Sequence, residues 1–523
     1  MRLKLKLDLS KTIGCQCMVS EEFQEVSPAD FFWRNRDIAG FTNPARAIYT
    51  TIREIVENSM DAAESSGSPP DVYIRLRDLG DFYELLARDN GSGVPANKIP
   101  QAFGQILFGS KYKLRQTRGT FGLGGKMAIL YGQITANKPV RIISSTGGSK
   151  IHDYSLSINI KSNRPKVQKH KVLPNPKRWH GTIIYLNTQG DYTRIQSKIL
   201  EYLKQTAAIT PYADLTFVDP SGRYYRFERK TKELPPPSKE VKPHPAGMDV
   251  EAVSRIIAST KTSSMLGFLQ KHFQRIGEKT ARKFLHHTGI DPRRNPKKLS
   301  ADEIVKLCTT MNTFKFITPD ASCLSPIGEK ILTVGITKEY SPEFLTVVQR
   351  NASAYSGFPF VVEVAIAYGG ALEPSENIPL YRFANKIPLL FDEGSDVARK
   401  VVDEKIDWRS YKVQPGSPIA VFVHICSTKI PYKTVGKEMI ADRPEVERDM
   451  TIALREAGRR LMGFLSKREQ TRAKKMRLEL FELYLPKIAK FSAQLAHRKK
   501  VPDIRPLLKA IASGKSEEPA IMD

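Results

Sequence analysis

Three short segments carry residue types whose spacing points to chemistry. In the stretch 46–64, Ile48, Ile52, Ile55 and Val56 mark one face of a helix, and Glu54, Asn58 and Asp61, spaced i, i+4 and i+7, fall together on another. Three short polar groups thus point the same way, although a merely solvated helix face has the same composition. Further on, a strand-like run ends in Asp89-Asn90-Gly91-Ser92-Gly93-Val94, a carboxylate at a strand end followed by glycines that let the backbone pass close to a ligand. A plain β-turn uses the same residues. The third segment, Gly119-Thr120-Phe121-Gly122-Leu123-Gly124-Gly125-Lys126, runs straight into the helical Met127-Ala128-Ile129-Leu130. Glycines before a helix N-terminus free backbone N–H groups to converge on phosphate oxygens, the helix dipole adds attraction, and Lys126 adds a point charge. The loop lacks the Lys-Ser/Thr ending of a Walker A motif. It also lacks the βαβ setting and ribose carboxylate of a dinucleotide fingerprint.

These segments need a scaffold, and the flanking pattern supplies an α+β one. Asn43-Pro44 opens the helix, and Val72/Ile74/Leu76 and Tyr83/Leu85/Ala87 alternate as strands around the turn Leu79-Gly80-Asp81. Residues 1–40 read as an N-terminal arm, with Ser27 and Pro28 starting one short helix, and 41–233 as the first α/β domain. The prolines of 234–248 predict a stiff extended linker. Residues 249–311 are helical only, in four pieces at 249–260, 263–274, 277–288 and 300–311. Strand-like runs return at 360–367 and 419–426, so 312–465 reads as a second α/β domain. It closes on a long helix whose stripe Val446, Met450, Leu454, Ala457, Leu461 and Phe464 keeps helical spacing. Residues 466–523 form a basic tail.

Taken in order, Glu54-x-x-x-Asn58-x-x-Asp61-Ala62, Asp89-x-Gly91-x-Gly93, Gly119-x-x-Gly122-x-Gly124 and Gly181-Thr182 resemble the four boxes of the gyrase/chaperone/histidine-kinase/MutL ATPase superfamily. The resemblance implies a Bergerat-type α/β sandwich that binds ATP with Mg²⁺. Asp89 would accept the adenine amino hydrogen with Thr182 assisting, Asn58 would ligate Mg²⁺, and Glu54 would act as general base for the attacking water. The loop from Gly119 to Lys126 (Thr120, Phe121, Gly122, Leu123, Gly124 and Gly125 between them) would wrap the phosphates as a lid. Ser110 and Lys111 would line the ribose and phosphate side. Gly125 departs from the pattern, which would have a slightly bulkier small residue there, and is expected to loosen the lid.

Ser427-Thr428-Lys429-Ile430-Pro431-Tyr432-Lys433, just beyond a strand of the second α/β domain, resembles the switch loop of type II topoisomerase transducer domains, whose lysine reaches the γ-phosphate. By that resemblance the lysine is Lys429, with Lys433 the alternative. The helical segment resembles a helix-two-turns-helix element. Together with Phe41-Thr42-Asn43-Pro44-Ala45-Arg46 and Phe383-Ala384-Asn385-Lys386-Ile387-Pro388, it makes the chain similar to the B-subunit family of topoisomerase VI, the archaeal type IIB enzymes. Membership would make this chain the ATPase half of an A2B2 heterotetramer. Its B subunits would dimerise on ATP binding, its long helix and tail would meet the A subunit, and double-stranded DNA would be transported. The alternative within the superfamily is a MutL-like or chaperone-like clamp without a cleavage partner.

Composition agrees with such a role. At about 150 residues per domain, 523 residues suggest three or so domains. Lys+Arg 82 against Asp+Glu 55 gives +27, the balance of a chain that meets a polyanion such as nucleic acid. Stretches such as 164–171, Arg293-Arg294 and Lys297-Lys298 are candidates for phosphate contacts that read no sequence, although each taken alone fits a solvated patch better. No apolar run approaches the roughly 20 residues of a membrane span, and no signal peptide is visible. Five scattered cysteines fit neither a disulfide framework nor a zinc site, so an intracellular, cytoplasmic protein is expected. No acidic cluster stands beside a tyrosine to cleave DNA, and the resemblance assigns that tyrosine to the A subunit.

Overall fold

The computed structural model describes residues 25–109, 113–119, 122–433 and 436–513. Eight strands form the first sheet: β1 (Asp71–Asp78), β2 (Tyr83–Asp89), β3 (Val140–Thr146), β4 (Lys150–Asn159), β5 (Arg164–Pro174), β6 (His180–Thr188), β7 (Asp214–Val218) and β8 (Tyr224–Phe227). Their order is β5-β4-β3-β6-β2-β1-β7-β8, with β1 parallel to β7 and the other pairs antiparallel. Helices α1 (Pro44–Ser65), α2 (Gly124–Ala136) and α3 (Tyr192–Ile209) bury their apolar stripes against this sheet. Helix α1 starts where Asn43 accepts a hydrogen bond from the Arg46 N–H at 2.8 Å and Pro44 occupies the first turn. Its buried Ile48, Ile52 and Val56 meet Ile74, Leu76 and Leu85 of the sheet, which fixes the rotation of the helix. The short helix Pro28–Arg34 is capped by Ser27, as its sequence predicts.

The proline-rich segment is docked. The Val241 N–H donates to Leu114 O at 3.0 Å and the Lys239 N–H to Cys323 O at 2.9 Å, so the segment lies between the first domain and the last. The helical module comprises α4 (Val250–Ser259), α5 (Met265–His272), α6 (Glu278–Thr288) and α7 (Ala301–Thr313) around a separate core that includes Phe268, Phe284 and Leu307. A capping box at Ser300 and Glu303 starts α7.

Helix α8 (Glu329–Tyr340) leads into the second sheet, made of β9 (Phe344–Gln349), β10 (Ser353–Tyr355), β11 (Phe358–Tyr368), β12 (Leu380–Ala384), β13 (Ile387–Pro388) and β14 (Ile419–Ser427). Both faces of β11 and β14 are covered, which accounts for their unbroken apolar runs. On one face lies α8, sharing a core with Ala208, Ile209 and Tyr212 at the end of α3 and so joining the two α/β domains. On the other lies α9 (Pro444–Leu495). Its stripe Val446, Met450, Leu454, Ala457 and Leu461, with Phe464 half-buried, packs on its own sheet and offers no face to a partner. Most of its exposed apolar residues lie further along, among them Met476, Leu480, Leu483, Tyr484, Ile488 and Phe491. A last helix, α10 (Arg505–Ser513), packs beside the end of α9.

Among the described residues, Cys308, Cys323 and Cys426 are buried and unpaired, and no helix is long and apolar enough to cross a membrane. Cys15 and Cys17 lie outside the described residues.

Candidate nucleotide site

Strand β2 ends at Asp89, and the sheet register sets what its carboxylate meets. The N–H groups of Gly91 and Thr182 donate to Asp89 Oδ1 at 2.9 and 3.1 Å, and the Ser59 hydroxyl is 3.3 Å from Oδ2. Burial raises the Asp89 pKa above the ordinary aspartate value, and these three donors oppose the shift. Gly93, at φ +68°, and Gly181, at φ +134°, take left-handed backbone where a Cβ would run into Ser145 O and Asp89 O respectively. Thr182 Oγ1 lies 3.1 Å from Ser144 Oγ. The adjoining Ser59 and Ser144 had no signal of their own in the sequence.

One turn of α1 further along, Glu54 and Asn58 face the same cavity, of about 1010 Å³. Arg53 Nη2 lies 3.2 Å from Glu54 Oε1, and Asn58 Nδ2 donates to Glu54 O at 2.7 Å. Asp61, on the same face, accepts from Arg118 Nη1 at 3.0 Å. Opposite stand Gly119, Gly122, Leu123, Gly124, Gly125 and Lys126. Helix α2 begins at Gly124 without a side-chain cap, so its first-turn N–H groups are left for a ligand. A Cβ at Gly124 would overlap the Glu54 carboxylate, so a side chain there would push that carboxylate out of its place. Lys126 donates to Phe108 O, and burial lowers its pKa to about 8. Ser110, Lys111, Thr120 and Phe121 lie outside the described residues.

The second α/β domain closes the cavity with Ser325, Asn385, Lys386, Gly436 and Lys437. Lys429 is not among the lining residues. It follows the end of β14, where the Ser427 hydroxyl accepts from its N–H, and its exposed Nζ lies 4.9 Å from the centre of the Phe358 ring. Lys433 donates to Ser395 O at 2.8 Å, also away from the cavity. The chain then doubles back, pairing Tyr432 with Ile440, and this return brings in Lys437. The ammonium of Lys437 donates to Arg118 O at 3.1 Å and lies 4.0 Å from Glu57 Oε2, while Arg46 and Glu438 form an ion pair beside it. Nothing local in the sequence marks Lys437, since a glycine directly before a lysine also occurs at Gly514-Lys515.

Two carboxylates differ in their surroundings: Glu57, buried behind the cavity, and Glu64, half-buried in its wall. Glu57 lies 3.5 Å from Arg53 Nε, but burial and the neighbouring Glu54 push its pKa up to about 7 against the pull of Lys437 and Arg53. For Glu64, burial acts in the same direction but is outweighed by Arg118 and Lys386, at 2.6 and 3.2 Å, which hold the pKa down at about 2.

The profile of the family described as "Topoisomerase VI B subunit, transducer" matches residues 319–477, and that of "Histidine kinase-, DNA gyrase B-, and HSP90-like ATPase" matches residues 43–159. The chain is 42% identical over 477 residues to the B subunit of type 2 DNA topoisomerase 6 from Metallosphaera sedula, covering 90% of each. It is 41% identical over 480 residues to the protein of the same name from Pyrobaculum aerophilum, covering 91% of this chain and 89% of that one. Among solved structures, the 43K ATPase domain of Thermus thermophilus gyrase B in complex with an aminocoumarin aligns at TM-score 0.40 and 13% identity, over 84% of this chain and 91% of that one.

Proposed function

The chain belongs to the family of topoisomerase VI B subunits, and on that premise we propose that its cavity binds and hydrolyses ATP to drive DNA transport through a break made by an A subunit. The observation that carries this reading is convergence. Asp89 with Thr182, Glu54 and Asn58 on α1, the glycine loop with Lys126, and Lys437 from the second domain all line one cavity.

In this reading Asp89 accepts the adenine amino hydrogen, with Thr182 beside it. The open N–H groups of α2 and the Lys126 ammonium take the phosphates. Glu54, oriented by Arg53, accepts the proton of the attacking water. The residues also fit Mg²⁺. Asn58 lines the cavity beside Glu54, and a side-chain amide oxygen is a ligand type that a hard cation takes. Among the described residues no three His, Cys, Asp or Glu side chains cluster for a metal, and phosphate oxygens and water would supply the remaining ligands. When bound, Mg²⁺ neutralises phosphate charge.

Lys437 takes the part that Lys429 held in the sequence-based expectation. A terminal phosphate entering the cavity competes with Glu57 for its ammonium, so nucleotide occupancy changes what the second domain holds. Two B subunits close on ATP, with the N-terminal arm at their junction. The exposed apolar face from Met476 to Phe491 meets the A subunit in an A2B2 assembly that acts on double-stranded DNA.

The test is steady-state ATP hydrolysis and decatenation by the chain assembled with its A subunit. Glu54→Ala is expected to lower hydrolysis by roughly 10²-fold or more while nucleotide still binds. Lys437→Ala is expected to abolish decatenation, and Lys429→Ala to leave it near wild type. A Glu54→Ala protein that hydrolyses ATP at the wild-type rate overturns the catalytic assignment, and the reverse order for the two lysines restores Lys429.

A further inference from the structure

The residues directly before the glycine loop are bonded, one after another, to the second α/β domain. The side-chain amide of Gln116 makes two hydrogen bonds to the backbone of Ser325: Nε2 donates to Ser325 O at 3.0 Å, and Oε1 accepts from Ser325 N at 2.7 Å. The carbonyl of Thr117 accepts from Asn385 Nδ2 at 3.2 Å. Arg118 reaches Glu64 Oε1 at 2.6 Å, and the other oxygen of that carboxylate accepts from Lys386 Nζ at 3.2 Å. Gln116, Arg118, Asn385 and Lys386 are all buried.

The receiving turn is itself held tightly. Asn385 and Lys386, between β12 and β13, both adopt left-handed backbone at φ +48° and +66°, unusual for residues with side chains. Asn385 exchanges two hydrogen bonds with the backbone of Ser427 at the end of β14. The Lys386 N–H donates to His424 Nε2 at 3.1 Å. His424 Nδ1 lies 2.7 Å from Glu363, whose carboxylate accepts from the Ile327 and Gly328 N–H groups at the start of α8. A buried polar group is costly to leave unpaired, so this run is displaced as a unit or not at all.

We propose that Gln116–Arg118 is a coupling strap. It transmits the position of the glycine loop to the second domain through the Asn385-Lys386 turn, alongside the bond that Lys437 makes to Arg118 O, and Gln116, Asn385 and Lys386 act as positioning residues. The proposal rests on the reading of the cavity as the nucleotide site. Lys437 senses the ligand itself, whereas the strap senses the loop that wraps it. The relay from Lys386 through His424 and Glu363 carries that displacement across the sheet to α8.

The experiment compares ATP hydrolysed per decatenation event for Lys386→Met, Asn385→Ala and Gln116→Ala, each in the full chain assembled with its A subunit. ATP binding by the wild type is measured alongside. The expected result is that ATP consumed per event rises by about tenfold in each variant, and that Lys386→Arg restores most of the coupling. Combining Lys386→Met with Glu64→Gln adds little beyond either alone, because both break one link. Thermal melts show which variants are folded at the assay temperature, and Gln116→Met replaces any that is not. Folded variants that hydrolyse and decatenate in the wild-type ratio overturn the strap. A wild-type chain that binds no ATP overturns the nucleotide reading instead.

Discussion

Asp89 illustrates how much one carboxylate is asked to do. Three protein donors already hold it, so its remaining capacity is directed at one ligand donor. Asp89→Asn turns an acceptor into a mixed donor and acceptor and is expected to weaken ATP binding by roughly 10- to 100-fold, the range for losing one hydrogen bond to a charged group, as calorimetry would measure. Glu64 is one contributor to acid stability. Its folded-state pKa, about 2, lies below the ordinary glutamate value of 4.5. The stabilisation is therefore present above the ordinary value and is lost as pH falls from about 4.5 toward about 2. Glu64→Gln should flatten that part of the unfolding curve, and melts across the window check it. Glu54, Asn58 and Asp89 were legible because each sits in a regular element whose period fixes where its side chain points. Lys437 was not, because it follows a chain reversal whose path depends on the Tyr432–Ile440 pairing, and no local spacing encodes that.

At the scale of elements, the start of α2 sets glycine's two roles against each other. Helix propensity favours Ala over Gly by about 1 kcal/mol at an interior position. At Gly124, however, a Cβ would overlap the Glu54 carboxylate and displace it, whereas at Gly125 it would come 3.1 Å from Asn58 Nδ2, a contact relieved by a shift of a few tenths of an ångström. Gly124→Ala is thus expected to lower ATP hydrolysis by about tenfold or more with little change in melting temperature, because the damage is to the site and not to the helix. Gly125→Ala is expected to be tolerated, and rate measurements on the pair distinguish them. The four helices of the inserted module and the alternating strands were readable from periodicity. The partner of the stripe on α9 was not: Val446 to Leu461 has the same pattern whether it faces a neighbouring protein or its own sheet, and only the topology chooses the sheet.

For the whole molecule, the surplus of +27 predicts a strong salt dependence. Each neutralised phosphate contributes a slope of roughly −0.9 to log K against log salt, so about six contacts cost on the order of 10³-fold in DNA affinity between ~50 and ~200 mM salt. Binding that is flat across that range would place the positive charge elsewhere than on DNA. The basic residues are not equally available: Lys166, Lys169 and Lys171 are exposed on edge strand β5, whereas Arg294 is taken up by Glu303. Where the charges lie therefore matters more than their sum, and only the folded arrangement reveals it.

Helix α9 has a mechanical meaning beyond its packing. Its 52 residues, at about 1.5 Å each, reach about 78 Å. Its base is fixed to the sheet that contacts the nucleotide cavity, and its far half extends past that sheet's core. A rotation of about 15°, the size of a known subunit rearrangement, swings the far end of such a lever by about 20 Å. On the proposed reading, a rotation started by what Lys437 or the Asn385-Lys386 turn holds would be geared up by this helix into a stroke large enough to separate subunits.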